Sequence, residues 1–424
     1  MLSLYGECTM NVLILSWELV PFYVGGLGIV CTELTRSLKN CGVGITYMLP
    51  LGKSNLKPSY VDELLVVEDM VYSDSACSPK NSSTESKNLA AINNAISNIE
   101  KVAYPTCYSS YLYGDNLLDR VYRYASQASS MAVNTKFDII HAHDWTSFPA
   151  AIALKKAYGK PLVVHVHITE YDKSGGGYVN PQIYHIEREG MLAADRVIVV
   201  SEFLKKTCIT RYHIPAEKIS VVYNSPVPMN CRKDIQRRKR KKGKIVMFAG
   251  RVTLQKGPDY FVETAKLILD KRSDVQFILA GNGDMLPRLI DRTAELGIIH
   301  TFIFTGSYNR EQADTLFSIP DVFIMPSVSE PFGLVAYEAL INKIPVIVSK
   351  QSGIAEVLEH CFKVDFWNIK DIANKTLALL QYPALHEEMA EEGYREALRT
   401  TWEDPARHCI QLYREVLHKS IHAA

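Results

Sequence analysis

Two carboxylates eight positions apart, Glu330 and Glu338, lie in the stretch SVSEPFGLVAYEAL, residues 327–340. A strand-like run, VFIMPS at 322–327, leads into them, and Gly333, Leu334 and Val335 open a helical pattern just after Pro331. Proline fits a helix start, where its missing N–H costs little. The free backbone N–H groups of such a start suit a phosphate. Glu338, about one turn inside, can reach a pair of sugar hydroxyls; Glu330, on the loop, can accept hydrogen bonds from a second sugar. Taken alone, the two acids read equally well as a helix cap and a surface charge.

The complementary charge lies upstream in GRVTLQKG, residues 250–257, where Arg251 and Lys256 sit five apart on a loop entering a helix. The arginine fork and the lysine point charge together suit a diphosphate; the alternative is a pair of solvated surface charges. Earlier still, SWELVPFYVGGLGIV (16–30) sets Gly25, Gly26 and Gly28 at the start of a helix beginning near Leu27. Glycines let a backbone approach a ligand closely, although a plain tight turn explains them as well. The spacing is not the GxGxxG of nicotinamide sites, which disfavours a dehydrogenase. HAHDW (141–145) and HVHITEYD (165–172) place His141 with His143, and His165 with His167, two apart and so on one face of a strand. Asp144 and His167 are the site candidates here, because Thr169, Glu170 and Asp172 continue the polar character beyond the strand; His165 reads as a core residue. Close Cys/His pairs of zinc-site spacing are missing. No metal and no cofactor are expected.

Something must position these residues. At 424 residues the chain is long for one core and suggests two domains. Short apolar runs recur at 11–16, 138–143, 162–167, 196–201 and 219–224, and again at 244–250, 275–281, 301–306, 322–327 and 345–350. Helical segments such as 27–40 and 146–158 separate them. Buried parallel strands read as such runs, so strand–helix alternation run twice predicts two parallel-sheet α/β domains. Ligands of open α/β sheets bind outside the carboxyl ends of the strands. Every candidate above follows such an end, which predicts a site between the two domains.

The seam falls at 226–243, where prolines meet the basic run Arg237–Lys242. In that place the run reads as a solvated linker rather than a nucleic-acid or nuclear-targeting patch. The Ser/Asn-rich stretch 72–88 reads as a surface loop, and residues 1–9 as an extension ahead of a second candidate start, Met10. A net charge of +1 gives no bulk attraction to nucleic acid or membrane. No apolar stretch is long enough to span a bilayer, and no secretory leader is apparent. Nine cysteines without a CxxC pair read as reduced thiols of a cytoplasmic protein. Oligomeric state has no signature in the sequence.

Taken in order, GGLG, HAHDW, HITEYD, GRVTLQKG and SEPFGLVAYEAL resemble the retaining nucleotide-sugar glycosyltransferases of family 4, from about Met10 to Tyr413. They are also similar to bacterial and archaeal glycogen synthases. The resemblance implies the GT-B fold, two Rossmann-like parallel-sheet α/β domains facing across a cleft. It implies an acceptor-side domain over 10–225, a linker over 226–243, a donor-binding domain over 244–400 and a helix over 401–424 crossing back to the first domain. The roles it implies are these. Arg251 and Lys256 hold the donor diphosphate and stabilise it as it leaves. Glu338 binds the nucleotide ribose, and Glu330 contacts the transferred sugar near its 3-hydroxyl. Gly333 and Leu334 donate backbone N–H groups to sugar and phosphate, and Gly26 lets the first-domain loop approach the phosphate. His167 bonds the sugar near its 6-hydroxyl, and Asp144 lies on the acceptor side. Arg251, Lys256, His167 and Glu330 form the implied catalytic set; Gly26, Asp144, Gly333, Leu334 and Glu338 form the binding set.

The implied donor is an ADP- or UDP-hexose and the implied acceptor a carbohydrate, with α-glucan synthesis leading. A lipid or cell-surface polysaccharide acceptor, an epimerase on the same scaffold, and a silent sugar-nucleotide binder are the alternatives. The leaving phosphate would act as the base, so no side-chain nucleophile is named. Tyr23 stands where bacterial glycogen synthases carry a lysine before VGGLG, which weighs against a strict ADP-glucose synthase. Asn224-Ser225 replaces the usual Asn-Gly, and the glycine often found after Glu356 is missing.

Overall fold

The computed structural model of the protein describes residues 10–23, 25–69, 113–114, 116–227 and 243–423. The extension 1–9, the stretch 72–88 and nearly all of the basic seam lie outside the described residues.

Among the described residues seven strands form the first sheet: β1 (Asn11–Leu15), β2 (Gly44–Gly52), β3 (Glu63–Asp69), β4 (Ile139–His143), β5 (Leu162–Val166), β6 (Arg196–Val199) and β7 (Ile219–Val221). Their order is β3-β2-β1-β4-β5-β6-β7. Its helices are α1 (Gly26–Asn40), α2 (Leu117–Met131), α3 (Phe148–Tyr158), α4 (Glu170–Ser174), α5 (Pro181–Ala193) and α6 (Glu202–Tyr212). The second sheet has six strands: β8 (Lys244–Ala249), β9 (Val275–Ala280), β10 (Phe302–Gly306), β11 (Val322–Met325), β12 (Val346–Ser349) and β13 (Phe362–Val364). They run in the order β10-β9-β8-β11-β12-β13. Around them lie α7 (Pro258–Leu269), α8 (Leu286–Glu295), α9 (Arg310–Leu316), α10 (Leu334–Ile341), α11 (Ile354–Val357), α12 (Ile369–Gln381) and α13 (Pro383–Arg399). A last helix, α14, covers Glu403–Ala423.

Every pairing in both sheets is parallel. Strands wind outward in both directions from β1 and β4 in one sheet, and from β8 and β11 in the other. At such a reversal the connecting helices leave on opposite faces and open a crevice. The motifs singled out above follow these four strands and β5: the glycine loop follows β1, HAHDW β4, the Arg251–Lys256 loop β8, and the Glu330 loop β11.

The apolar runs pick out ten of these strands and pass over β2, β3 and β13. Strand β2 (GITYMLPLG) carries Pro50 near its end, β3 (ELLVVED) is an edge strand bounded by acids, and β13 has only three residues. None of the three is a clean apolar run, so periodicity alone is blind to them. The helix after Pro331 starts where the sequence places it: Gly333, at φ 111, is the cap of α10 and Leu334 its first residue. Phe332, between Pro331 and Gly333, is buried in the core, which holds the proline back on the loop.

Local chemistry fixes the helix starts near the cleft. Asn180 accepts from the N–H groups of Gln182 and Ile183 at the start of α5, and Ser201 from Leu204 on α6. Thr169 and Asp172 form a reciprocal capping box on α4. Such caps contribute about 0.5–2 kcal/mol each. Helix α14 leaves the second lobe and packs on the first, where Trp402, Ala406, Cys409, Leu412, Tyr413 and Val416 join Val12, Ile14, Leu34 and Leu38 in one buried cluster. Among the described residues Cys31, Cys41, Cys208, Cys361 and Cys409 are free thiols.

Candidate active site

The cation loop is built by close backbone contacts that exclude a side chain. A Cβ on Gly281 would lie 1.8 Å from the Gly250 carbonyl oxygen, and one on Gly257 would lie 2.1 Å from that of Pro326. The loop is therefore pressed against the end of β11. Gln255, absent from the sequence expectations, is its keystone. Its Oε1 accepts from Arg251 Nη2 at 3.1 Å, its Nε2 donates to the Ser329 carbonyl at 3.0 Å, and its own carbonyl accepts from Val328 N at 2.9 Å. Lys256 forms an ion pair with Glu330, whose same oxygen accepts from Ser327 Oγ at 3.3 Å. The cation motif and the acid motif, 74 residues apart in the chain, thus meet.

The acid loop is laced to the segment after β12. Glu330 N donates to Gln351 O, Gly353 N to Glu330 O, and Ile354 N to Phe332 O, at 2.9, 2.9 and 2.7 Å. A side chain at Gly333 would come within 2.9 Å of Met325 Cε. Glu338 is placed one turn into α10 and accepts from Arg310 Nη1 at 2.7 Å. Burial pushes the Glu338 carboxyl up, and the Arg310 guanidinium opposes that shift. Arg310 begins α9 after the Asn309 cap. No spacing in the sequence ties it to Glu338, so only the fold reveals the pair.

In the first lobe the four histidines form a column. Register places His143 opposite His165 across β4 and β5. The ring centroids of His143 and His165 are 5.2 Å apart and those of His165 and His167 are 4.2 Å apart. His143 Nδ1 and His167 Nε2 share a hydrogen bond of 2.9 Å, and His141 Nδ1 shares one of 2.6 Å with the Tyr413 hydroxyl of α14. Burial lowers all four, His141 and His167 to about 3, so the column is neutral near pH 7. His165 is core, but neither of its ring nitrogens has a partner.

Cys31, His143 and His167, or His141, His143 and His165, bring possible ligand atoms within 4.8 Å of one another. The imidazole planes, however, lie at 12° to 39° to each other in a stack. In each group a ring nitrogen is already engaged, His143 Nδ1 with His167 Nε2 and His141 Nδ1 with the Tyr413 hydroxyl.

Asp144, at φ 56, turns its carboxylate back to accept from His167 N at 2.7 Å. Burial pushes it up to about 7. It organises the end of β5 and so holds His167 in place. The glycine loop has its own organiser in Glu18, buried, which accepts from Gly25 N at 3.3 Å, Gly28 N at 3.2 Å and the Tyr113 hydroxyl at 2.5 Å. Two of the N–H groups at the α1 start are thereby engaged. Gly28 is packed so closely that a Cβ would sit 2.3 Å from that of Tyr23, whereas side chains at Gly25 or Gly26 would meet nothing within 4 Å. Of the three glycines, only Gly28 is demanded by packing. The lobes touch where Ser201 Oγ donates to Pro331 O at 2.6 Å and where Glu356 accepts from Glu202 N and Phe203 N at 2.9 and 2.6 Å.

Two doubly wound lobes with cations and acids gathered at the crevices have the architecture of the GT-B fold. HepE of Anabaena, solved with UDP and glucose, has the same fold, with a TM-score of 0.65 at 16% identity over 96% of this chain and 100% of that one. The family model for Glycosyltransferase Family 4 matches residues 24–225, that for Glycosyl transferases group 1 matches residues 232–396, and the chain belongs to the family 4 glycosyltransferases. It is 28% identical over 365 residues to an uncharacterized glycosyltransferase of Methanocaldococcus jannaschii, covering 83% of each chain. It is 23% identical over 361 residues to the glycogen synthase of Mycobacterium tuberculosis, covering 82% of this chain and 80% of that one.

Proposed function

We propose that this glycosyltransferase moves a hexose from a nucleotide-diphosphate sugar to an acceptor hydroxyl with retention at the anomeric carbon and without a metal. Synthesis of an α-glucan of the glycogen type is the leading branch. The observation that carries the reading is the junction of Arg251, Gln255, Lys256 and Glu330 at the β8/β11 crevice. A donor diphosphate would take Lys256 from Glu330 and leave that carboxylate to accept from a sugar hydroxyl. Arg251, Lys256 and the backbone N–H groups of Gly333 and Leu334 would hold the negative charge that grows on the leaving diphosphate. Glu338, shared with Arg310, would bind the ribose. Neutral His167 would bond the sugar near its 6-hydroxyl, and Gly26 would let the α1 start approach the phosphate. Asp144, which holds the His167 backbone, would lie on the acceptor side. The acceptor hydroxyl would attack from the face the diphosphate leaves, with the departing phosphate taking its proton.

In this reading residues 10–225 form the acceptor lobe, 226–243 the linker, 244–400 the donor lobe and 401–424 the helix that crosses back. A glycogen synthase among the relatives supports a glucan acceptor, and the UDP and glucose bound by HepE support a UDP- or ADP-hexose donor. Tyr23 weighs against strict use of ADP-glucose. Among the described residues no helix is long and apolar enough to cross a membrane. We place the protein in the cytoplasm, where nucleotide sugars are made.

A panel of ADP-, UDP- and GDP-sugars crossed with glycogen, maltooligosaccharides and lipid acceptors, in excess chelator, tests the reading through released nucleoside diphosphate. One donor with a glucan acceptor is expected to stand out. Strict dependence on added metal, or donor breakdown that ignores every acceptor, would overturn it.

A further inference from the structure

We propose that the hydrogen bond from Ser329 to Asp172, beside the Ser201–Pro331 and Glu356 contacts, registers the two lobes on each other at the sugar site and sets the distance between His167 and Glu330. The inference rests on the reading that those two residues face the transferred sugar.

Each polar group of Ser329 has a separate task. Its N–H donates to Gln255 O at 3.4 Å and its carbonyl accepts from Gln255 Nε2 at 3.0 Å, which fastens it to the cation loop. Its Oγ donates to Asp172 Oδ1 at 2.7 Å, 157 residues away in the other lobe. Asp172 is 2% exposed, and its second oxygen accepts from Thr169 N at 3.0 Å and Thr169 Oγ1 at 2.6 Å. Thr169 is two residues beyond His167, and Ser329 immediately precedes Glu330. A short path of covalent and hydrogen bonds therefore crosses from one sugar-facing residue to the other.

Beside this path the lobes also touch through Gly175, at φ +57, where a Cβ would lie 3.3 Å from Leu254 Cγ and 3.4 Å from Gln255 N. One turn of the acceptor lobe thus rests on the loop that carries both cations. When the lobes part, Asp172 keeps its bonds to Thr169, so α4 stays capped and, of the bonds that Asp172 makes, only the one to Ser329 is exchanged for water. That makes the contact reversible without unfolding either loop. Ser329 and Asp172 are positioning residues; neither needs to touch the substrate.

The test uses the full chain with Ser329→Ala, which removes the cross-lobe bond but keeps both backbone bonds to Gln255, and Ser329→Thr, which keeps the hydroxyl. Steady-state transfer, calorimetric affinity for ADP and UDP, and solution scattering of the nucleotide-bound protein are measured. Ser329→Ala is expected to lower kcat by about tenfold to a hundredfold, as small misplacements of reacting groups do. It should leave nucleotide affinity unchanged and widen the lobes in scattering, and Ser329→Thr should restore kcat. Wild-type kcat and scattering in Ser329→Ala would overturn the proposal. So would a loss of nucleotide affinity matching the loss of kcat, because Ser329 would then only support the donor loop. Should the wild-type chain transfer nothing, the functional reading fails, while scattering still decides whether the contact holds the lobes.

Discussion

Lys256 is fixed by Glu330 in the structure and would hold a diphosphate in the proposed reaction. Those two duties separate in a variant. Lys256→Ala is expected to cost on the order of 10²–10³ in kcat, the scale of a lost charge-stabilising donor. The stability loss should be only about 1–3 kcal/mol, because Glu330 keeps Ser327 and can take up water. Transfer assays beside a urea titration check both, and normal turnover would remove Lys256 from the reaction. Strand-end position and charge make the residues at 251, 256, 330 and 338 candidates in the sequence, and the family resemblance gives them their proposed roles. Gln255, Arg310 and Glu18 are not legible in this way. Each acts through a partner that is distant in sequence or unremarkable in type, and no local pattern marks such a pair.

The β4–β5 pair makes the pH behaviour of the protein an element-scale property. Its four imidazoles are held neutral by burial, His141 and His167 down to about 3. The unfolded chain takes up protons on them below about pH 6.5 and the folded chain does not. Their stabilising effect is therefore complete above about pH 6.5 and is lost as pH falls toward 3. Asp144, raised to about 7, and Glu187, raised to about 8, have the opposite sign: their contribution is complete at low pH and is lost as pH rises through those values. The four imidazoles contribute a climb in the urea midpoint from pH 4 to 6.5, which the raised carboxyls Asp144, Asp172, Glu187, Asp259 and Glu338 oppose, so the test compares the slope of the wild type with that of a variant lacking one imidazole. His165→Leu should flatten that climb by about one proton, or about 1.4 kcal/mol per pH unit. It should cost little at pH 7, because the nitrogens it removes have no partners. An unchanged slope would mean that His165 protonates alike in the folded and unfolded chain.

At the scale of the molecule, α14 is the strap that lets two sheets act as one enzyme. Trp402 is buried where the second lobe ends, and its Nε1 donates to Pro226 O at 2.9 Å, while Ser225 Oγ donates to Thr401 O at 2.9 Å. Both crossings between the lobes are thus tied together at one place. Trp402→Ala should cost about 3–5 kcal/mol, the usual range for a buried tryptophan, and should loosen the lobes before either sheet unfolds. Thermal unfolding with separate tryptophan and circular-dichroism probes checks this; a single unshifted transition would rule it out.

By itself, the sequence determined the repeated strand–helix alternation, hence two parallel sheets, and placed the charged motifs at strand ends. Both follow from local rules, the burial of apolar runs and the fixed side-chain periods of strands and helices. Only the tertiary structure decided that β2, β3 and β13 complete the sheets, that Lys256 meets Glu330 and Arg310 meets Glu338, and that Asp172 reaches Ser329 across the cleft. Those are contacts between segments that chain order leaves far apart, and their partners are chosen by the winding of the sheets and the closing of the lobes.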